Sequence, residues 1–225
     1  AMIITATFLF GLNGSTAKTI MQTGVTAEQI TLLRSLSAAL IAGVFMFARN
    51  RASFAVAKSE WKWLAALGFA GVGLMQWSYA NAVANLPVGV ALLIQYTAII
   101  LVPIAGLILF KTRVSKRLWL GVALVLSGLV VVSQIWQSTL SAIGLVYGAI
   151  AAIATTIYYM IGEHVHKTRD AFSTLFYSML FSALMWVGLS RFWEFDFTRF
   201  TVPLDLGGNL AGTVIPAWLL FAWLG

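Results

Sequence analysis

The chain has 225 residues, 60% hydrophobic and 9% charged, with a mean hydropathy of +0.92 and a net charge of +7. A soluble domain carries about 25% charged residues, so this composition excludes a water-facing surface and points to a polytopic helical membrane protein. The positive charge is no nucleic-acid footprint, because it sits in short segments between apolar runs, and the absence of cysteine excludes disulfides and thiolate metal sites.

In chain order, a first span is predicted over about Ala1 to Thr23. Gly11 and Gly14 permit close helix contact there, and Asn13, Ser15, Thr16 and Lys18 make it the most polar span. It starts with no basic region, so it reads as a helix missing its beginning and not as a signal peptide. The second span covers about Ala27 to Ala48 and contains Arg34. A basic loop follows with Arg49, Arg51, Lys58 and Lys62.

From Trp63 to Phe110 there are 48 residues without a single Asp, Glu, Lys or Arg. A spanning helix needs about 20 apolar residues, so this stretch holds two spans, about Trp63 to Ala82 and Val88 to Phe110. The turn between them is placed at Asn81 to Gly89, where Asn81, Asn85, Pro87 and Gly89 cluster. Gly68, Gly71 and Gly73 thin the third span, and Pro103 is expected to kink the fourth. A second uncharged run, Leu118 to Gly162, breaks at the polar patch Ser133 to Ser141. It gives a fifth span to Val132 and a sixth from Ala142, the latter with a Gly144/Gly148 small-residue pair. A loop Glu163 to Asp170, a seventh span Ala171 to Ser190, an acidic loop Arg191 to Asp205 and an eighth span Leu206 to Gly225 complete the pattern.

The loops after spans 2, 4 and 6 carry ten of the Lys and Arg residues. The opposite loops carry only Arg191 and Arg199, and Lys18 and Arg34 lie within spans. The positive-inside bias then puts the basic loops and the N-terminus in the cytoplasm of a cell whose inner, cytoplasmic membrane holds the chain.

The chain resembles the EamA family of the drug/metabolite transporter superfamily. The resemblance rests on Phe10-Gly11-Leu12-Asn13 and on Leu32-Leu33-Arg34-Ser35-Leu36-Ser37-Ala38-Ala39. It continues through Tyr79-Ala80-Asn81-Ala82, Leu86-Pro87-Val88-Gly89-Val90-Ala91-Leu92-Leu93, Gln95-Tyr96-Thr97, Lys116-Arg117-Leu118-Trp119-Leu120-Gly121 and Gly128. Each motif is loose, and their joint order and spacing carry the similarity. The resemblance implies ten helices in two inverted five-helix repeats. Repeat 1 would run over residues 1–135 and an incomplete repeat 2 over 140–225, with eight of ten helices present and the chain truncated at both ends. One departure concerns the Gly-Glu-Arg that the family often has after span 4. Here the sequence reads Phe110-Lys111-Thr112-Arg113.

Within the spans, Lys18 and Arg34 are the sharpest signals, since a cation in hydrocarbon costs at least ~2.5–3.5 kcal/mol. Either could form a positive pocket for a solute carboxylate or phosphate, or serve as a structural cation on helix ends. Arg34 is read as structural. Asn13, Lys18, Trp77, Tyr79, Gln95, Tyr96, Tyr158 and Tyr159 are candidate substrate-binding residues around a central cavity, with helix–helix hydrogen bonding as the alternative for each. Trp61, Trp63, Trp119, Trp136 and Trp193 read as interface anchors. His164 and His166, in the loop beside Glu163, have too few neighbours for a metal site, and no metal or cofactor is expected.

The function expected is a secondary transporter of small metabolites, amino acids or related amphiphiles, working in export by alternating access. Its partners are then a small solute and the bilayer, with no nucleic acid. The alternatives are an intramembrane enzyme and a non-transporting scaffold or fragment. The expectation that the spans contain no Asp or Glu weighs against the enzyme.

Overall fold

The computed structural model describes residues 13–49, 51–111, 115–137, 140–205 and 214–224. Among them, five helices are long and apolar enough to cross a membrane: Ala27–Arg49, Val88–Leu109, Lys116–Ser133, Ala142–His166 and Ala171–Leu189. The architecture is an all-α polytopic bundle. Residues 1–12, which hold the Phe10-Gly11-Leu12 motif, lie outside the described residues.

The first helix, α1, is described over residues 13–21, and α2 spans Ala27–Arg49. Next, α3 (Trp61–Ala66) runs through a π-helical stretch, Leu67–Gly73, into α4 (Leu74–Asn85). The hairpin turn is tighter than the sequence suggests and consists of Leu86 and Pro87. Leu86 is extended (φ −132°, ψ 161°), the conformation a following proline favours, and Pro87 caps α5 (Val88–Tyr96). The fourth span is interrupted at Thr97, before α6 (Ala98–Phe110). Pro103 itself stays inside α6, and at the interruption the Thr97 hydroxyl and amide both donate to Ile94 O, at 2.6 Å and 3.1 Å.

After α7 (Lys116–Ser133) come α8 (Ala142–His166) and α9 (Ala171–Leu189). Ser141 and Asp170 cap the last two by accepting from Gly144 N at 3.4 Å and Ser173 N at 3.0 Å. The Ser173 amide also holds the Asp170 carboxyl below the usual carboxylate range.

Three expectations need correction. Glu163, His164 and His166 are not loop residues, because α8 continues one turn past Gly162. An apolar run marks where a helix meets lipid, whereas a helix can extend beyond it into water. The eighth span is not one helix from Leu206. Instead β1 (Pro203–Asp205) pairs antiparallel with β2 (Val214–Pro216), and α10 covers only Ala217–Leu224. Pro203 and Pro216 face each other in that ladder, and a proline at its end suits a short edge better than a helix interior. Finally, the spans do contain a carboxylate: Glu28 lies in the first turn of α2.

The bundle is held by contacts of α2 with α9, of α4 with α8, and of the π-helical stretch with both α8 and α9. Small residues set these approaches. A Cβ on Gly144 would meet Leu86 Cγ at 2.6 Å, and one on Gly148 would meet Ile94 Cγ2 at 2.9 Å. Both glycines of the predicted pair therefore sit against the α4–α5 hairpin. At the basic end, Arg169 pins the segment after α2. Its guanidinium donates to Glu60 Oε2 at 2.8 Å, Ser53 O at 2.6 Å, Ala55 O at 3.2 Å and Ser173 Oγ. Tyr177 Oη adds a bond to Phe54 O at 2.8 Å.

The glycines give a stability prediction. A Cβ at Gly68 would lie 2.7 Å from the Ser178 carbonyl oxygen and against Phe181, whereas one at Gly121 would meet nothing within 4 Å. Gly68→Ala should cost about 1–3 kcal/mol by overpacking, and Gly121→Ala should cost nothing. Unfolding midpoints in a denaturing-detergent titration check the pair; equal midpoints would show that the approach of the π-helical stretch to α9 is not tight.

Candidate functional site

Four helices converge on a cavity of about 40 Å³ lined by Asn13 and Gly14 from α1, Arg34 from α2, Met75, Gln76 and Tyr79 from α4, and Gln95 from α5. Gly14 lets the Tyr79 ring close in, since a Cβ there would meet the Tyr79 hydroxyl, and Val88 Cγ1 at 2.9 Å. On α4, Met75, Gln76 and Tyr79 share a face through their helical spacing of three and four residues. The volume holds no more than a few water molecules, whose liquid share is about 30 Å³ each.

The polar groups of this cavity are unevenly satisfied. Gln95 Nε2 donates to Thr155 Oγ1 on α8 at 3.3 Å. Gln76 Nε2 contacts only the Met179 sulfur at 3.6 Å, and its Oε1 is buried without a partner among the described residues. Arg34 and Tyr79 are electrostatic neighbours. Among the described residues the Arg34 guanidinium makes no hydrogen bond and no ion pair, although it offers five N–H donors. Arg34 also lines a lateral groove of about 440 Å³ between α2 and α10, with Ser37, Trp218 and Phe221. The cavity thus presents a cation and an orphan amide oxygen together, an arrangement that suits a small solute with an anionic group and a hydrogen-bond donor.

Of the residues singled out from the sequence, Asn13, Tyr79 and Gln95 come together here, joined by Arg34, whose sequence context reads as structural. The others lie elsewhere. Lys18 Nζ donates to Leu86 O at 2.9 Å, so it satisfies the carbonyl exposed by the break before Pro87. Trp77 turns away on α4: its Nε1 donates to Glu28 Oε1 at 2.7 Å, and its ring stacks on Trp186 at 5.6 Å and meets Tyr147 edge-on at 5.4 Å. Tyr96 is half-buried outside the cavity lining. Tyr158 packs beside the core of Met46, Leu64, Leu67, Val165 and Tyr177, and Tyr159 is 52% exposed on the bundle surface. Sequence reasoning misses Gln76 and Met75. The signal it could use is Gln76 itself, an amide in an uncharged span three residues before Tyr79.

Residues 1–134 match the family model described as the EamA-like transporter family. A comparison with curated proteins finds no match.

Trp77 yields a test that separates scaffold from site. Trp77→Phe removes the donor to Glu28 and strands a carboxylate, which should cost about 1–3 kcal/mol of stability. Glu28→Gln, which keeps an acceptor, should cost less. Denaturation midpoints read both, and an unchanged midpoint for Trp77→Phe would show that the Glu28 bond holds nothing together.

Proposed function

The chain belongs to the EamA-like transporter family, and from that premise we propose that it exports small carboxylate-bearing solutes, amino acids or close relatives, recognised at the Arg34–Gln76 cavity. As a member, it is a multi-pass membrane transporter of small solutes, and such proteins are generally not enzymes. The observation that carries the finer reading is that one cavity holds both Gln76 Oε1, buried without a partner among the described residues, and the Arg34 guanidinium, which makes no hydrogen bond among them. A carboxylate would answer the first and an ammonium the second. A hydrogen bond to a charged group is worth about 1.5–3 kcal/mol, and binding is what completes it.

The mechanism we infer is alternating access between two repeats, residues 1–135 and 140–225. Support comes from the polypeptide path at their junction. There α7 ends on Gln134 in the left-handed conformation (φ 46°), and α8 begins only at the Ser141 cap. Helices on the two sides of that junction pack against each other, α2 on α9 and α4 on α8, so rocking at these contacts would shift α2 and α4, which carry Arg34 and Gln76, against the rest of the cavity lining. A cavity of about 40 Å³ is too small for an amino acid, so the helices must separate to admit one. The orientation follows the charge bias, with the N-terminus and the Arg169 end in the cytoplasm. Lys18, held on Leu86 O, supports the α4–α5 turn and does not touch the solute.

Flux into proteoliposomes tests this with a labelled panel of amino acids. Arg34→Gln should reduce uptake of any transported amino acid about tenfold or more, the equivalent of ~1.4 kcal/mol, and Arg34→Lys should retain part of it. Lys18→Met should lower the denaturation midpoint with little change in solute affinity. Full flux by folded Arg34→Gln protein would remove Arg34 from recognition.

A further inference from the structure

The basic end of the bundle carries a second pocket, about 230 Å³, between the start of α3 and the last turn of α8. Its wall includes Lys62, Trp63, His164 and Thr168, with Glu60 and Arg169 behind them. None of these residues lines the solute cavity. The Trp63 and His164 rings lie 4.4 Å apart, and Lys62 Nζ stands 5.5 Å from the Trp63 ring. An ammonium, an imidazole and an aromatic face are thereby gathered at one spot.

The charges of the pocket are not equivalent. Arg169 has its donors engaged by Glu60, Ser53 O, Ala55 O and Ser173 Oγ, and its side chain is only 6% exposed. Glu60 is answered by that same guanidinium and by the Ala57 amide at 3.1 Å. The carboxylate is therefore neutralised within the wall. Glu163 is drawn to Lys167 at 3.5 Å, both well exposed. Lys62 takes part in no ion pair among the described residues, and it leaves the pocket with net positive charge. The volume falls below the ~300–1,000 Å³ of sites that enclose a drug-sized ligand, so it suits a small polar group. Trp61 and Trp63, 44% and 37% exposed, place it at the depth of lipid headgroups.

We propose that this pocket binds a phosphate group, with Lys62 and His164 as its donors and Trp63 as the wall against which the group's substituent rests. Basic pockets between helices at this face of a membrane protein hold phosphorylated headgroups. The phosphate source is a phospholipid of the surrounding leaflet or a free phosphate ion.

The test uses the full chain in a neutral detergent. Phosphatidylglycerol, phosphatidylcholine and inorganic phosphate are titrated separately. Retained lipid is counted by native mass spectrometry, and the thermal midpoint is followed in parallel. Phosphatidylglycerol should be retained at one molecule per chain and should raise the midpoint, with phosphatidylcholine at least tenfold weaker. The double variant Lys62→Ala/His164→Ala should lose this retention at least tenfold. Lys116→Ala, equally basic and outside the pocket, should keep it, as should Lys62→Arg. A midpoint shift with inorganic phosphate that the double variant abolishes, without lipid retention, would support the site and identify the free ion as its ligand. Retention unchanged in a folded double variant, equal retention of both lipids, or no response to any of the three would overturn the proposal.

Discussion

A polar side chain inside a bilayer has no water to fall back on, so each such group must find a partner in the protein or be held in reserve for one that arrives. This constraint organises the bundle. Trp77 answers Glu28, Lys18 answers the Leu86 carbonyl, Gln95 meets Thr155, Ser35 meets Ser182 at 2.7 Å, and Trp186 reaches the Gly73 carbonyl at 3.3 Å. Most of these bonds join helices far apart in sequence, so they fix the helix order that apolar packing alone leaves loose. Among the described residues, Gln76 Oε1 and Ser190 Oγ stay buried without a partner, and Gln76 Oε1 shares its cavity with the Arg34 guanidinium, which makes no hydrogen bond there.

The two ends of the molecule treat charge differently from its middle. At the basic end, Arg169 gathers a carboxylate, two carbonyls and a serine hydroxyl, and ties the segment after α2 to α9. The Ala57 amide, followed by other hydrogen bonds and the Arg169 charge, holds the Glu60 carboxyl below the usual carboxylate range. At the opposite end, Arg199 donates to Thr23 O at 2.9 Å, and Leu204, Ala217 and Phe221 pack with Ala17 and Ile20 of α1. Both ends are therefore tied across elements distant in sequence, and between them lies the cavity of about 40 Å³ that holds Arg34 and Gln76.

The all-helical membrane character is legible in the sequence because an uncharged run long enough to cross a bilayer twice, such as Trp63 to Phe110, would leave a water-soluble chain with no polar surface to show. The family resemblance is legible from the joint order of the α2 and hairpin motifs. What stays hidden depends on geometry across the chain. Lys18 and its acceptor are 68 residues apart, and no periodicity links them. Trp77 and Tyr79 are two residues apart on one helix, yet point to different neighbours, which a reading by composition merges into one site. Residues 214–224 are apolar and uncharged whether strand or helix, so β2 carries no signal of its own. Glu28 is visible as a letter, and its position in the first turn of α2 gives it the look of a loop residue.

The most direct measurement is the reactivity of a single cysteine placed in the cavity. The chain has no native cysteine, and Met75 lines the cavity beside Gln76. In Met75→Cys protein in proteoliposomes, a small water-borne thiol reagent should modify the cysteine, and a transported amino acid should slow that reaction. Reaction at the same rate with and without the amino acid, or no reaction under turnover, would contradict the assignment of the Arg34–Gln76 cavity as the solute site.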